Sequence, residues 1–115
     1  MVELQNTDLD QVFSALGDPT RRSLLRRLCQ GPASVTELAA PLAMSLNAVS
    51  KHLKVLERAG LIRREIEGRV HHVYLNAGPL VEAERWVNHY RQFWDARLDS
   101  LGSWLERNEG RNRDE

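Results

Sequence analysis

The chain lacks several features that would place it in other classes of protein. Its 115 residues include one cysteine, Cys29, so no disulfide can form within the chain, as expected in a reducing cytosol. The longest apolar run, residues 38–44, includes a proline, whereas a membrane span needs about 20 apolar residues. The first ten residues are polar and acidic, unlike a signal peptide. These absences favour a small cytoplasmic protein.

Net charge is also absent, since 16 Lys and Arg residues balance 16 Asp and Glu residues. This balance argues against strong non-specific binding of nucleic acid. The basic side chains are nevertheless concentrated locally. Residues 45–75 hold six Lys or Arg against three acids, and residues 20–30 hold four arginines and no acid. Such patches suit contact with a few phosphates on one face.

Features of catalytic sites are missing as well. The sequence contains no glycine-rich phosphate loop, no cluster of metal ligands and no spacing typical of a catalytic triad. We therefore expect a protein that is not an enzyme and that carries no cofactor and no metal. We expect one domain over residues 1–107, followed by a charged, disordered tail over residues 108–115.

Apolar spacing and turn residues predict three helices in the first part of the chain. The first buries Leu9, Val12, Phe13 and Leu16 and ends at Gly17. The second begins at Asp18-Pro19 and stops at Gly31-Pro32. Ser34-x-x-Glu37 is typical of a capping box that opens a third helix. Pro41 makes that helix short or bent near Ala40, because proline lacks the N–H that the helix needs.

A fourth helix is predicted from Ser45 to Gly60, with two contrasting faces. The apolar face consists of Leu46, Val49, Leu53 and Leu56. The opposite face consists of Asn47, Lys51, Lys54 and Arg58.

The spacing of apolar residues then changes over residues 61–75, and this segment predicts a hairpin with Gly68 at the turn. A long last helix follows from Gly78-Pro79 to about Arg107, with five of the seven aromatic residues of the chain. Its apolar surface exceeds what a small monomer covers, so we expect a homodimer. The expected interface consists of Leu9, Val12, Phe13, Trp86, Val87, Tyr90, Trp94, Leu98 and Leu101.

The third and fourth helices, with the turn at residues 43–45, predict a helix-turn-helix over residues 32–59. In this motif the second helix enters the major groove of DNA with its N-terminal residues at the base edges. The alternative is a solvated helix face without a partner. The expected DNA contacts are Ser45, Asn47, Ala48, Ser50 and Lys51 at the bases, Lys54 and Arg58 at phosphates, and Thr20 and Arg21 at a helix start.

The hairpin predicts a wing, with Arg69 at its tip placed to enter a minor groove. The alternative is that charges along the hairpin prevent aggregation of an edge strand. The roles of His71 and His72 stay open, and adjacent strand residues face opposite ways, which argues against a metal pair.

These motifs resemble the ArsR/SmtB family of winged helix-turn-helix repressors. The resemblance covers about residues 9–105 and rests on ALGDPTRR at 15–22, VTELA at 35–39, SLNAVSKHLKVLERAGL at 45–61 and EGR at 67–69. It implies a mainly helical fold with a small β-hairpin and a long C-terminal dimerisation helix. It also implies a repressor of its own operon that binds an inverted-repeat operator in double-stranded DNA.

The chain departs from the metal-sensing members of that family. Where those members carry paired cysteines in the third helix, this chain has Ser34, Val35, Thr36 and Glu37. Its last helix offers Glu82, Glu84 and a single His89. The chain is therefore similar to the subgroup without metal-sensing motifs, the SdpR-like autorepressors. The operator, the target genes and any effector stay open.

Two alternatives keep the same fold. One is a metal- or redox-responsive repressor, for which Cys29 is a candidate thiol, although we expect Cys29 to be a small core residue. The other is a winged helix that binds proteins through the aromatic last helix.

Overall fold

A computed structural model describes the backbone of residues 2–113 and the side chains of residues 9–109. Within that range the chain is mainly helical with a small antiparallel sheet, as the sequence predicted. It divides into two compact units, Met1–Ala83 and Glu84–Glu115. The elements are α1 (Val2–Leu16), α2 (Pro19–Leu28), β1 (Ala33–Ser34), α3 (Val35–Ala39), α4 (Leu46–Arg58), β2 (Ile62–Glu67), β3 (Val70–Leu75) and α5 (Gly78–Arg113).

The predicted helix starts are confirmed by their capping contacts. Asp18 accepts a hydrogen bond from the amide of Arg21, and Pro19 takes the first position of α2. Ser34 caps α3 and Ser45 caps α4, each with its hydroxyl oxygen 3.1 Å from the amide nitrogen three residues on. α3 ends at Ala39, so the predicted short helix before Pro41 is also confirmed.

The C-terminus of α4 fixes how the hairpin leaves the helix. Gly60 has φ 74°, and its amide donates to Glu57 O, while the amide of Leu61 donates to Leu56 O. These paired bonds form a Schellman motif, which favours glycine because its φ is positive. β2 begins directly afterwards at Ile62. The direction of the wing is therefore set by the end of α4.

The sheet has three strands in the order β1-β3-β2, whereas the sequence predicted only the hairpin. β2 and β3 pair from Ile62↔Leu75 to Glu67↔Val70, and Gly68 has φ 62° in the turn, as predicted. β1 is two residues long and pairs Ala33 with Val73. A strand this short carries no detectable alternation, so only its pairing with β3 defines it.

The core gathers the apolar sides of α1, α2, α3, α4 and the sheet. On α4, Val49, Leu53 and Leu56 are fully buried. Leu46, which we assigned to the same apolar face, is 54% exposed because it stands in the first turn, outside the packed region. Val12 is buried in this core. Its assignment to a dimer interface is therefore wrong, because no partner chain can reach it.

α5 extends further than the sequence predicted. It continues past Arg107 to Arg113 and so overlaps most of the tail assigned to residues 108–115, while residues 114 and 115 lie outside the described part. Its 36 residues correspond to about 54 Å of helix. Among the described residues, none of the helices combines the length and the apolar character that a membrane span requires.

A polar junction joins the end of α1 to α2 and α4. The guanidinium of Arg21 donates to the carbonyls of Ser14 (3.1 Å) and Ala15 (2.7 Å) at the end of α1, and it lies 3.3 Å from Nδ1 of His52 in α4. The same His52 nitrogen lies 3.7 Å from a carboxylate oxygen of Asp18. The amide of Arg21, followed by the charges of His52 and Arg21, holds the pKa of Asp18 below its ordinary value. This junction fixes α4 relative to α2.

Two leucines of α4 provide a matched test of the core. We expect Leu53→Ala to lower the free energy of unfolding by about 2–5 kcal/mol, because it opens a cavity at a fully buried site. Leu46→Ala removes the same atoms from an exposed site and should change the free energy of unfolding by less than about 0.5 kcal/mol. Urea unfolding of both variants measures the difference, and equal losses would contradict the described packing.

The junction predicts a pH dependence of stability. Because folding lowers the pKa of Asp18, its ionised carboxylate stabilises the fold above its unfolded pKa, and that contribution disappears as pH falls through the folded pKa. Asp18→Asn keeps a cap acceptor but removes the charge. We therefore expect the wild type to exceed this variant in stability at neutral pH, with the gap closing in acid. Parallel pH–stability curves in urea unfolding would refute the role of the charge.

Candidate nucleic-acid interface

The outward side of α4 presents hydrogen-bond donors to solvent. Burial of Val49, Leu53 and Leu56 on one side turns the other side outward. The predicted polar face is there: its four residues are all exposed, while Ala48 and Ser50 at its border are half-buried. These exposed residues, which we name the donor stripe, are Asn47, Lys51, Lys54 and Arg58.

Three side chains of the donor stripe are unengaged within the described part of the protomer. Among the side chains at positions 9–109, those of Asn47, Lys51 and Lys54 make no hydrogen bond or ion pair. A lysine ammonium carries three donors and no acceptor, so each of these lysines retains its full capacity for an external acceptor. The side chains of the stripe can therefore donate hydrogen bonds to acceptor atoms on base edges or on phosphates.

The N-terminus of α4 adds a favourable electrostatic environment. Its first turn contains no acidic side chain, and the positive end of a helix dipole favours anions. The Ser45 oxygen accepts from the amide of Ala48, which leaves the hydroxyl proton available to donate. This end of the helix can accept a phosphate or a base edge.

The wing carries one cation at its tip and paired charges along its strands. Arg69 is exposed in the turn after Gly68. Arg63 lies 4.8 Å over the ring of Tyr74 and 3.6 Å from Glu65. Of the described side chains in the hairpin, Arg69 is the arginine without an ion pair.

His72 lies on the opposite side of β3 from His71. Its Nε2 is 3.7 Å from a carboxylate oxygen of Glu67, and it is half-buried, whereas His71 is exposed. The two rings therefore do not converge on one point, as the strand alternation predicted.

The arginines at the start of α2 are occupied by the fold. Arg21 is taken up in the junction with α1 and His52, and Arg22 donates to the carbonyl of Leu16 at 2.6 Å. The carbonyls of Ala15 and Leu16 lie in the last turn of α1, which leaves them without helical partners, whereas the carbonyl of Ser14 also accepts from the amide of Gly17. Each nitrogen of the Arg21 guanidinium makes one contact within the protein, which leaves two of its five N–H donors, so its phosphate contact stays a prediction. Thr20 is half-buried at the start of the helix and stays a candidate.

Two residues near the donor stripe were missed by the sequence analysis. His52 joins the junction described above, and no pattern in the sequence singles it out. Arg64 reaches from β2 to α4, where its Nη2 lies 3.3 Å from the carbonyl oxygen of Ser50. Strand alternation held a signal for Arg64, because it shares a face with Ile62 and Ile66.

Cys29 is exposed at the C-cap of α2, so its assignment to the core is wrong. Helix α2 turns Leu25 and Leu28 inward and leaves position 29 outside. Over the described side chains, no three or more His, Cys, Asp or Glu residues are grouped to hold a metal ion.

Comparison with known proteins agrees with this arrangement. A family model described as a helix-turn-helix domain matches residues 16–65. The chain is 51% identical over 53 residues to the HTH-type transcriptional regulator Rv2034 of Mycobacterium tuberculosis, covering 46% of this chain and 50% of that protein. That match therefore spans half the length of the relative. The chain is 30% identical over 79 residues to the transcriptional repressor SdpR of Bacillus subtilis, covering 69% of this chain and 88% of SdpR.

Solved structures show the same fold. A crystal structure of an ArsR family transcriptional regulator is 40% identical, with a TM-score of 0.74, over 78% of this chain and 93% of that one. The homodimeric winged helix-turn-helix DNA-binding domain of a possible ArsR-family regulator from Mycobacterium bovis is 26% identical, with a TM-score of 0.59, over 80% and 82%. The chain belongs to the ArsR family of winged helix-turn-helix transcriptional regulators.

Proposed function

We propose that the protein is a homodimeric repressor that binds an inverted-repeat operator before its own operon and reads it with α4. One observation carries the proposal: an exposed donor stripe lies opposite a fully buried face of the same helix. The repressor SdpR, which this chain resembles, supports repression rather than activation.

Base contacts in this proposal come from the first half of α4. The Asn47 amide matches the N6 and N7 positions of adenine, and the Lys51 ammonium matches O6 and N7 of guanine. Ala48 contacts a thymine methyl group, while Ser45 and Ser50 donate to nearby acceptors. Each well-placed pair of this kind discriminates against a wrong base by about 1–3 kcal/mol.

Phosphate contacts come from the periphery of α4 and from the wing. Lys54 and Arg58 lie further along α4, where the helix leaves the groove, and Thr20 lies at the start of α2. Arg69 enters the adjacent minor groove, where the negative potential is strongest over narrow A·T-rich steps. These contacts position the protein without selecting most bases.

Dimerisation in this proposal uses the exposed apolar face of α5, with contributions from α1. Solvent-exposed aromatic and aliphatic side chains repeat along α5 over many turns, more than scattered surface residues explain. The M. bovis neighbour is homodimeric, which supports the same arrangement here. The proposed interface, without Val12, consists of Leu9, Phe13, Trp86, Val87, Tyr90, Trp94, Leu98 and Leu101.

The two lysines of α4 separate base recognition from phosphate binding. On DNA from upstream of its own gene, we expect Lys51→Ala to lose about 1–3 kcal/mol and to relax one base position. Lys54→Ala, one turn later, should weaken binding to operator and to random DNA alike. It should also reduce the slope of log binding constant against log salt concentration by about 1. Fluorescence anisotropy with both duplexes over a salt series measures these effects.

Equal losses for Lys51→Ala on operator and random DNA would remove Lys51 from base recognition. If the wild type prefers no upstream sequence over random DNA, autorepression itself is refuted.

The dimer is tested by one aromatic residue of α5. We expect Trp94→Ala to shift the protein from dimer to monomer by about 3–5 kcal/mol of association free energy, because the variant loses a large apolar contact. Trp94→Phe, which keeps most of that area, should dimerise more tightly than Trp94→Ala. Sedimentation equilibrium measures both, with circular dichroism as the control for folding. An unchanged dimer in Trp94→Ala would contradict the interface.

A further inference from the structure

Arg64 differs from its neighbour Arg63 in where its side chain lies. The Arg64 side chain is 14% exposed, whereas that of Arg63 is 66% exposed. Strand alternation explains the difference, since Arg64 shares the inner face of β2 with the buried Ile62 and pairs with the buried Val73. A charged side chain is seldom held on an inner face unless partners compensate for lost hydration.

The partners of Arg64 both lie on α4. Its Nη2 donates to the carbonyl of Ser50 at 3.3 Å, and its Nε lies 3.9 Å from a carboxylate oxygen of Glu57. Ser50 and Glu57 are two helical turns apart, about 10 Å along the axis. Nε is buried and makes no hydrogen bond in the structure, so Glu57 offsets its charge as an ion pair while Ser50 accepts the one hydrogen bond, and the two contacts together tie the hairpin to α4.

Beyond Arg64 the hairpin projects away from the core. Ile62 and Val73 are buried, but Ile66 and Val70, nearer the tip, are exposed. Residues 65–71 are therefore held mainly by the hydrogen bonds between β2 and β3, whereas His72 also pairs with Ser34 of β1. The direction of Arg69 at the tip depends on the last anchored position, and on β2 that position is Arg64.

We propose that Arg64 is a positioning residue that couples the wing to α4, so that Arg69 and the donor stripe engage the same operator half-site together. This inference rests on the proposed function and adds a residue that touches no DNA. The guanidinium suits the role because its donors are arranged in a rigid, planar fork. A lysine ammonium at this position would be a single point charge and would lose one of the two contacts.

A double-mutant cycle tests the coupling. In the wild type, Arg69→Ala should weaken operator binding about tenfold and make its salt dependence shallower. In an Arg64→Met background, the same change should cost less than about threefold, because the wing no longer delivers Arg69 to the groove. In an Arg63→Met background, which removes the same charge from the exposed neighbour, the cost should stay about tenfold.

Two further variants separate positioning from folding. Arg64→Lys keeps the charge, and we expect it to reproduce the coupling loss of Arg64→Met rather than rescue it. Glu57→Ala removes one anchor from a half-exposed site on α4 and should reduce the Arg69→Ala penalty even if Arg64→Met unfolds. Thermal unfolding of each variant identifies those that retain the fold.

The outcomes distinguish this inference from the proposed function. If the wild type binds operator and random DNA equally, the proposed function is refuted. Operator binding with an Arg69→Ala penalty that is the same in all folded backgrounds refutes only the coupling. Full rescue by Arg64→Lys, or no penalty for Arg69→Ala in the wild type, also overturns it.

Discussion

Burial of one side of α4 orients the side chains on its other side and the hairpin that follows it. Val49, Leu53 and Leu56 are fully enclosed, so the helix has one rotation about its axis that satisfies its apolar side chains. That rotation alone determines that Lys51 and its neighbours face solvent. A helix with this division needs no conformational change to present donors, which reduces the entropic cost of binding.

The arginines show that charge alone does not reveal a role. Arg21 and Arg22 donate to carbonyls at the end of α1, and Arg64 donates to a carbonyl of α4 and lies 3.9 Å from a carboxylate on the same helix. Arg69 has no such acceptor in its turn. The nearest acceptor therefore decides whether an arginine holds the fold together or is available to a phosphate. This division is compatible with a net charge of zero, because few cations are needed at the interface itself.

Local patterns were sufficient where local physics decides the structure. Capping serines, Gly60, Gly68 and the apolar period of α4 each act over a few residues, and the elements that they predict are confirmed. Features that depend on tertiary packing could not be predicted from these local patterns. The strand β1 exists only through its pairing with β3, and the guanidinium of Arg21 binds carbonyls six or seven residues earlier in the chain. Val12 is buried, as its helical spacing predicted, but within the protomer instead of at a dimer interface. Cys29 lies at the surface instead of in the core, because the rotation of a helix depends on its neighbours.

Docking of α4 in the major groove is open to methylation protection with dimethyl sulfate, because the reagent attacks guanine N7 in the major groove and adenine N3 in the minor groove. We predict two symmetric clusters of protected guanines, one helical turn (about 10 base pairs) or a multiple of it apart, with protected adenines beside each. Protection of adenines alone, a single unpaired cluster, or uniform protection along the DNA would contradict the docking of α4 in the major groove as a symmetric pair.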